Sequence, residues 1–232
     1  MNLHTKKEVK QELSPEGLQR RKFLTVLGGT ASAVTVLAAC SKNDNGPSTG
    51  TTGVDLGSGD TGILNYAYAL EQLEAAFYTQ VILTPYSGIS TSELALLTDI
   101  RDHEIAHREF FKTALADKAI PGLEVNFSAI DFTKRDSVLG TAKAFEDLGV
   151  SAYNGAGKLI TNPDYLTLAG KIVSVEARHA AFIRDLITPG SFADSTAVDM
   201  NGLDKAAAPK DVLTAASAFL KTKVTANNLP TN

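Results

Sequence analysis

From Thr61 onward the apolar positions of the chain recur at spacings of three and four, the period of a helix with one buried face. In the first such segment Leu64, Tyr68, Glu71, Ala75 and Tyr78 fall on one stripe, which predicts a helix over about Gly62 to Leu83. Pro85 and Gly88 then break the chain, and Ser90, Thr91 or Ser92 can cap a second helix over about Thr91 to Lys118. A third helix is expected over about Lys134 to Ile160. A fourth is expected over about Pro163 to Leu186, with Pro163 at a first-turn position and Pro189-Gly190 as its stop. At 1.5 Å of rise per residue each spans roughly 33–42 Å, the length scale of a helix bundle.

The connections set the topology. Short loops join helices one and two, and helices three and four, so each pair is antiparallel. Residues 120–133, with Pro121-Gly122, form a long crossover between helices two and three. The predicted fold class is therefore all-α, an antiparallel four-helix bundle over residues 62–188. Residues 189–232 form an irregular extension with one short helix, about Lys210 to Lys221, packed outside the bundle.

The N-terminal residues read differently. Gln19-Arg20-Arg21-Lys22-Phe23-Leu24 places paired arginines before a short, mildly apolar run that ends in Leu37-Ala38-Ala39-Cys40. A charged start, a short apolar stretch and small residues before a cut site describe an export signal over residues 1–39, and paired arginines point to the twin-arginine route. With Gly28 and Gly29 inside it, the run is short for a membrane-spanning helix. Leu37-Ala38-Ala39-Cys40 resembles a bacterial lipobox, a resemblance that implies lipidation of Cys40 and a membrane anchor. Residues 40–61, rich in Gly, Ser and Thr, are then a tether, and the expected location is the periplasmic or surface face of a bacterial envelope.

Composition narrows the chemistry. The chain has 232 residues, 44% of them hydrophobic, and a formal net charge of −4, which offers no basic footprint for nucleic acid. Cys40 is the single cysteine, so an intrachain disulfide framework and a cysteine-type zinc site are excluded. Any metal must be held by carboxylates and imidazoles.

The two halves of the bundle echo each other at that level. Glu71 is followed seven residues on by Tyr78, and Glu146 by Tyr153. Glu104-x-x-His107 lies on the second predicted helix and Glu176-x-x-His179 on the fourth. Residues three apart share a helix face, so each Glu-x-x-His aims a carboxylate and an imidazole at one point. With one inward Glu from each of the other helices, Glu71 and Glu146, the set is four carboxylates and two imidazoles in a bundle core. That is the ligand set of di-iron and di-manganese carboxylate sites. Two divalent cations, iron or alternatively manganese, would neutralise acids that otherwise repel one another. Bridging carboxylates would hold them at a spacing suited to a two-oxygen ligand.

Some assignments stay open on sequence alone. Glu74, one turn from Glu71, is the alternative helix-one ligand or a neighbouring support. Tyr78 and Tyr153 either orient ligating carboxylates or are ordinary core tyrosines. His103 is expected at the rim, Asp147 as a solvated surface acid, and Arg178 paired with Asp102 or Asp147.

On Leu70-Glu71-Gln72-Leu73-Glu74-Ala75-Ala76-Phe77-Tyr78, Glu104-x-x-His107, Phe145-Glu146 with Tyr153, and Glu176-Ala177-Arg178-His179, the chain resembles the ferritin-like superfamily, which includes rubrerythrins and bacterioferritins. It looks like the bacterial ferritin-like domain proteins related to plant desiccation-related proteins. The resemblance covers about residues 61–188. It implies two metal ions held by Glu71, Glu104, His107, Glu146, Glu176 and His179, and oxidation of ferrous iron by oxygen or peroxide, or turnover of peroxide, in stress protection. The four-cysteine iron site of rubrerythrins is absent. A non-catalytic envelope protein with a structural metal, or none, is the competing expectation, and a homodimer is compatible with either.

Overall fold

In the computed structural model the described residues are 53–231. The expected export signal, Cys40 and most of the expected tether lie outside them. Four long helices dominate: α1 (Gly59–Leu83), α2 (Thr91–Leu115), α3 (Arg135–Gly157) and α4 (Pro163–Ile187). A short helix, α5 (Pro209–Ala216), follows. Two strands of two residues each, β1 (Val54–Asp55) and β2 (Val224–Thr225), pair in parallel. Among the described residues no helix is long and apolar enough to cross a membrane.

The helix starts follow local chemistry. The Ser90 hydroxyl accepts from the Glu93 backbone N–H (3.1 Å) and caps α2. Asn162 caps α4 by accepting from Asp164 N–H (2.9 Å), with Pro163 at the first position. At the start of α1, Asp60 turns its carboxylate outward to accept from Thr161 N–H (2.8 Å), Thr161 Oγ1–H (2.9 Å) and Asn162 N–H (2.8 Å). Burial works to raise the Asp60 carboxyl, but these donors prevail and hold it below its ordinary value. The α3–α4 turn is thereby tied to the entry of α1.

The helices pack as two hairpins, α1 with α2 and α3 with α4, and the hairpins meet most closely along α1 and α3. The core draws most of its buried side chains from α1 and α3, with Tyr66, Leu73, Phe77, Tyr78, Leu139, Ala142 and Phe145 all buried. One end is sealed by aromatic rings: Phe77 packs edge-on against Phe145 (5.1 Å between centroids) and near Phe127 and Phe132 of the crossover (6.0 and 5.9 Å). Two buried amides of α1 hold the crossover in place. Asn65 donates to Leu56 C=O (3.1 Å) and Lys118 C=O (3.0 Å) and accepts from Ile120 N–H (3.0 Å), while Gln72 accepts from Leu123 N–H (2.8 Å).

Several boundaries differ from the sequence expectation. The folded part begins earlier, because Val54–Asp55 pairs with β2 and α1 starts at Gly59. The last helix ends at Ala216 and not near Lys221. From Phe219 the backbone pairs outward instead: Asn126 N–H donates to Phe219 C=O (2.8 Å) and Lys221 N–H to Glu124 C=O (2.8 Å) before β2 reaches β1. The β-branched Thr222, Val224 and Thr225 suit this extended path.

The extension is fastened to the bundle at two places. Ala207 N–H donates to Ser151 C=O (2.9 Å) on α3, and the approach is so close that a Cβ on Gly155 would meet Ala207 O at 1.8 Å. Gly155 is required there by contact with backbone. The second fastening is Arg184, which is 2% exposed. Its guanidinium forks onto both oxygens of Asp147 (2.7 Å each) and also reaches Thr196 Oγ1 (2.8 Å) and Asp194 Oδ1 (3.3 Å). Asp147, expected as a solvated acid, is thus engaged by Arg184. Arg178, expected to pair with Asp102 or Asp147, is exposed, and Asp102 pairs with its own neighbour Arg101 (2.7 Å). The i+7 position of Arg184 after Ala177 places it on the buried face of α4, which Arg178 does not share.

Replacing Arg184 by Ala should lower stability by about 2–4 kcal/mol, because a buried fork is lost and Asp147 is left with the longer contact to Lys143 (3.8 Å). Urea unfolding of metal-free protein measures this. A midpoint equal to wild type would show that the fork does not fasten the extension.

Candidate metal centre

The four helices deliver six side chains to one buried place. Glu71 comes from α1, Glu104 and His107 from α2, Glu146 from α3, and Glu176 and His179 from α4. The four glutamates are wholly buried at 0% exposure, while His179 and His107 side chains are 5% and 14% exposed. All six sequence-predicted candidates are thus brought together.

Their ligand atoms divide into two groups. His107 Nδ1 lies 2.9 Å from Glu176 Oε1, 3.4 Å from Glu71 Oε2 and 3.6 Å from Glu104 Oε2. His179 Nδ1 lies 2.8 Å from Glu104 Oε1, 3.5 Å from Glu146 Oε2 and 3.9 Å from Glu176 Oε2. Each group is one imidazole nitrogen with three carboxylate oxygens, and within each group the ligand atoms lie within 4.8 Å of one another. Glu104 and Glu176 contribute one oxygen to each group, whereas Glu71 and Glu146 belong to one group apiece. None of these eight atoms is satisfied by a hydrogen bond. Buried polar atoms normally find partners, so these eight orphans form groups that could hold a metal ion.

The remaining oxygens of the outer glutamates are not orphans. The Tyr78 hydroxyl donates to Glu146 Oε1 (2.5 Å) and the Tyr153 hydroxyl donates to Glu71 Oε1. The bonds cross: the tyrosine of α1 serves the glutamate of α3, and the tyrosine of α3 serves the glutamate of α1. Each fixes the carboxylate so that its other oxygen faces the centre.

Glu74 lies beside the two groups and belongs to neither. It is buried, and a Cβ on Gly149 would sit 3.1 Å from Glu74 Oε1 and 3.6 Å from Glu176 Oε2. Gly149 is therefore what leaves room on α3 for this extra carboxyl. His103 sits at the exposed edge, yet its Nδ1 is 2.9 Å from Nε2 of His179. The rim expectation for His103 did not include that bond. Its one sequence signal is the position one turn before His107, and nothing in the pattern marks Gly149.

The matched architecture has a recorded family. A ferritin-like domain model matches residues 59–189, more than half of the chain and the whole of α1 to α4. The chain belongs to the ferritin-like domain family. No curated protein matches it. The extension beyond residue 189, with α5 and β2, lies outside the ferritin-like match.

The ferritin-like centre is acid-rich and its titration reflects that. Burial pushes Glu71 up to about 7, with the Glu104 charge adding to the rise and His107 opposing it. Burial and the neighbouring carboxylates lift Glu176 and Glu74 well above the ordinary range. Burial also raises Glu146, with Glu104 adding and His179 opposing. Burial works to raise Glu104 as well, but His107 and His179 outweigh it and hold this carboxyl at about 2. Burial would lower both imidazoles, yet the facing carboxylates raise His107 to about 12 and His179 to about 10.

Without cations the centre thus keeps protons at neutral pH that an unfolded chain would release. Glu71 holds its proton up to about 7 against an ordinary 4.5, and the two imidazoles hold theirs far above 6.5. Groups raised on folding stabilise the fold at low pH and lose that contribution as pH climbs through their folded values. The metal-free protein should therefore lose stability between about pH 5 and pH 8. Cations must displace the same protons, so the rise in melting temperature on adding manganese(II) should grow from pH 6 to pH 8. Thermal unfolding across that range tests this, and a rise that shrinks with pH would contradict it.

Proposed function

We propose that the protein holds two iron ions, or alternatively two manganese ions, and uses them to oxidise ferrous iron or to reduce oxygen or peroxide in the cell envelope. The observation that carries this reading is the division of eight unsatisfied ligand atoms into two sets of three oxygens and one nitrogen, sharing Glu104 and Glu176. Hard carboxylate oxygens with one imidazole each suit iron or manganese, and the shared carboxylates suit a paired site. When bound, two ferrous ions supply the two electrons that reduce peroxide to water with uptake of two protons.

The chain's own residues do the rest. Glu71 and Glu146 close the ends of the centre, held by Tyr153 and Tyr78. The apolar sheath of Leu73, Phe77, Leu139, Ala142 and Phe145 keeps bulk water out. The most exposed member of the set, His107, marks where a molecule as small as oxygen or peroxide gains entry. Purified protein loaded anaerobically with ferrous iron should bind two ions per chain and turn over peroxide or oxygen. The double replacement His107→Ala with His179→Ala should abolish both while helicity persists. Metal uptake without any turnover would leave the site structural and overturn the enzymatic part.

The export signal and Leu37-Ala38-Ala39-Cys40 support a lipid anchor on Cys40. A folded metalloprotein suits the twin-arginine route, which carries folded cargo. Labelled palmitate should be incorporated in cells, and Cys40→Ser should remove the label and release the protein from the membrane fraction. Equal labelling of the Cys40→Ser variant would refute the anchor.

A further inference from the structure

The two ligand groups agree in their carboxylates and differ at their imidazoles. Each has three glutamate oxygens, and each outer glutamate is held by a tyrosine from the opposite hairpin. His107 and His179 both turn Nδ1 inward. Their outer nitrogens meet different surroundings. His179 Nε2 lies 2.9 Å from Nδ1 of His103, and the two rings are nearly parallel, with centroids 5.2 Å apart and 10° between their planes. Among the described residues no protein group hydrogen-bonds Nε2 of His107, whose side chain is also the more exposed, at 14% against 5%.

We propose that His103 is a positioning residue that makes the two metal positions inequivalent, the position containing His179 being the tighter and the first to fill. The inference rests on the two-ion reading above. An imidazole that binds a cation through Nδ1 carries its proton on Nε2, and that N–H needs an acceptor. Nδ1 of His103 is such an acceptor, at hydrogen-bond distance and with the two ring planes within 10° of each other. The bond selects the ligating tautomer of His179, fixes its ring plane before any cation arrives, and makes its inner nitrogen the stronger donor. The arm comes from α2 while His179 belongs to α4, so it also joins the two Glu-x-x-His helices outside the carboxylate cluster. Among the described residues His107 has no such arm, and part of its ordering is left to the cation itself. One ion is then resident and the other exchanges, on the side of the centre that solvent reaches.

The test is an anaerobic titration of the metal-free full chain with cobalt(II), followed by its visible absorption bands and by calorimetry. Wild type should take up two equivalents in two resolved steps. His103→Leu removes the acceptor and should weaken the tighter step by about 10- to 100-fold, merging the two. His103→Asn keeps an acceptor near the same place and should restore the separation. His103 lies at the surface, so both variants should keep wild-type helicity by circular dichroism. Two unchanged steps in His103→Leu would overturn the inference, as would equal weakening of both or a single unresolved wild-type step. No cobalt uptake by wild type would remove the two-ion reading itself, and this inference with it.

Discussion

Acids placed together inside an apolar bundle are tolerable only if something answers their charge. Glu71, Glu74, Glu104, Glu146 and Glu176 are all buried within a few ångströms of one another or of a common neighbour, and they face two imidazoles and two tyrosine hydroxyls. Leaving such groups charged and unpaired costs several kcal/mol each, more than a typical domain can absorb. Protons answer part of the demand in the metal-free chain, which is why Glu71 rises to about 7 and His107 to about 12. Metal ions, which these grouped side chains could hold, would answer more of it. The rest of the molecule is arranged so that these side chains cannot turn away: helices long enough to be rigid, tyrosines gripping the outer carboxylates, and a sealed aromatic end.

That arrangement is nearly two-fold. Glu71 with Tyr78 and Glu146 with Tyr153 are related by the 75-residue offset, and the Glu-x-x-His pairs by one of 72. The hydroxyls cross between α1 and α3, so neither hairpin completes its own half of the centre. Each supplies the support for the other's outer glutamate. Docking of the hairpins and orientation of the carboxylates are in this way a single event. A bundle that docked out of register would lose both tyrosine bonds and strand the acids together.

Much of this was legible from residue spacing. The 3.6-residue period located all four long helices, and i,i+3 geometry placed Glu104 with His107 and Glu176 with His179, because both rest on local backbone regularity. The choice of Glu71 over Glu74 as the residue grouped with His107 followed the repeat. What escaped depends on distant chain segments meeting. The bond from His103 to His179 spans 76 positions and carries no spacing signal. Arg184 was passed over for Arg178, although the turn of α4 buries the former. The strand pair β1–β2 joins residues 54–55 to 224–225, and two-residue strands are too short to leave a periodic trace.

The extension clarifies a division of labour. Residues 59–189 carry the family pattern and all six grouped side chains, yet the bundle does not end its contacts there. Arg184 sits on the face of α4 away from the Glu176 cluster and binds Asp147, one position past Glu146. A charge pair that near the centre could have competed for the carboxylates. It does not, because residues i and i+1 on a helix point about 100° apart, so Glu146 looks inward while Asp147 looks toward α4 and the extension. The guanidinium directs four of its five N–H donors to Asp147, Thr196 and Asp194. The fork fastens the extension to α3 and α4, while Glu146 stays with the acid cluster. The position of Asp147 next to Glu146 is what lets a single turn of α3 serve both.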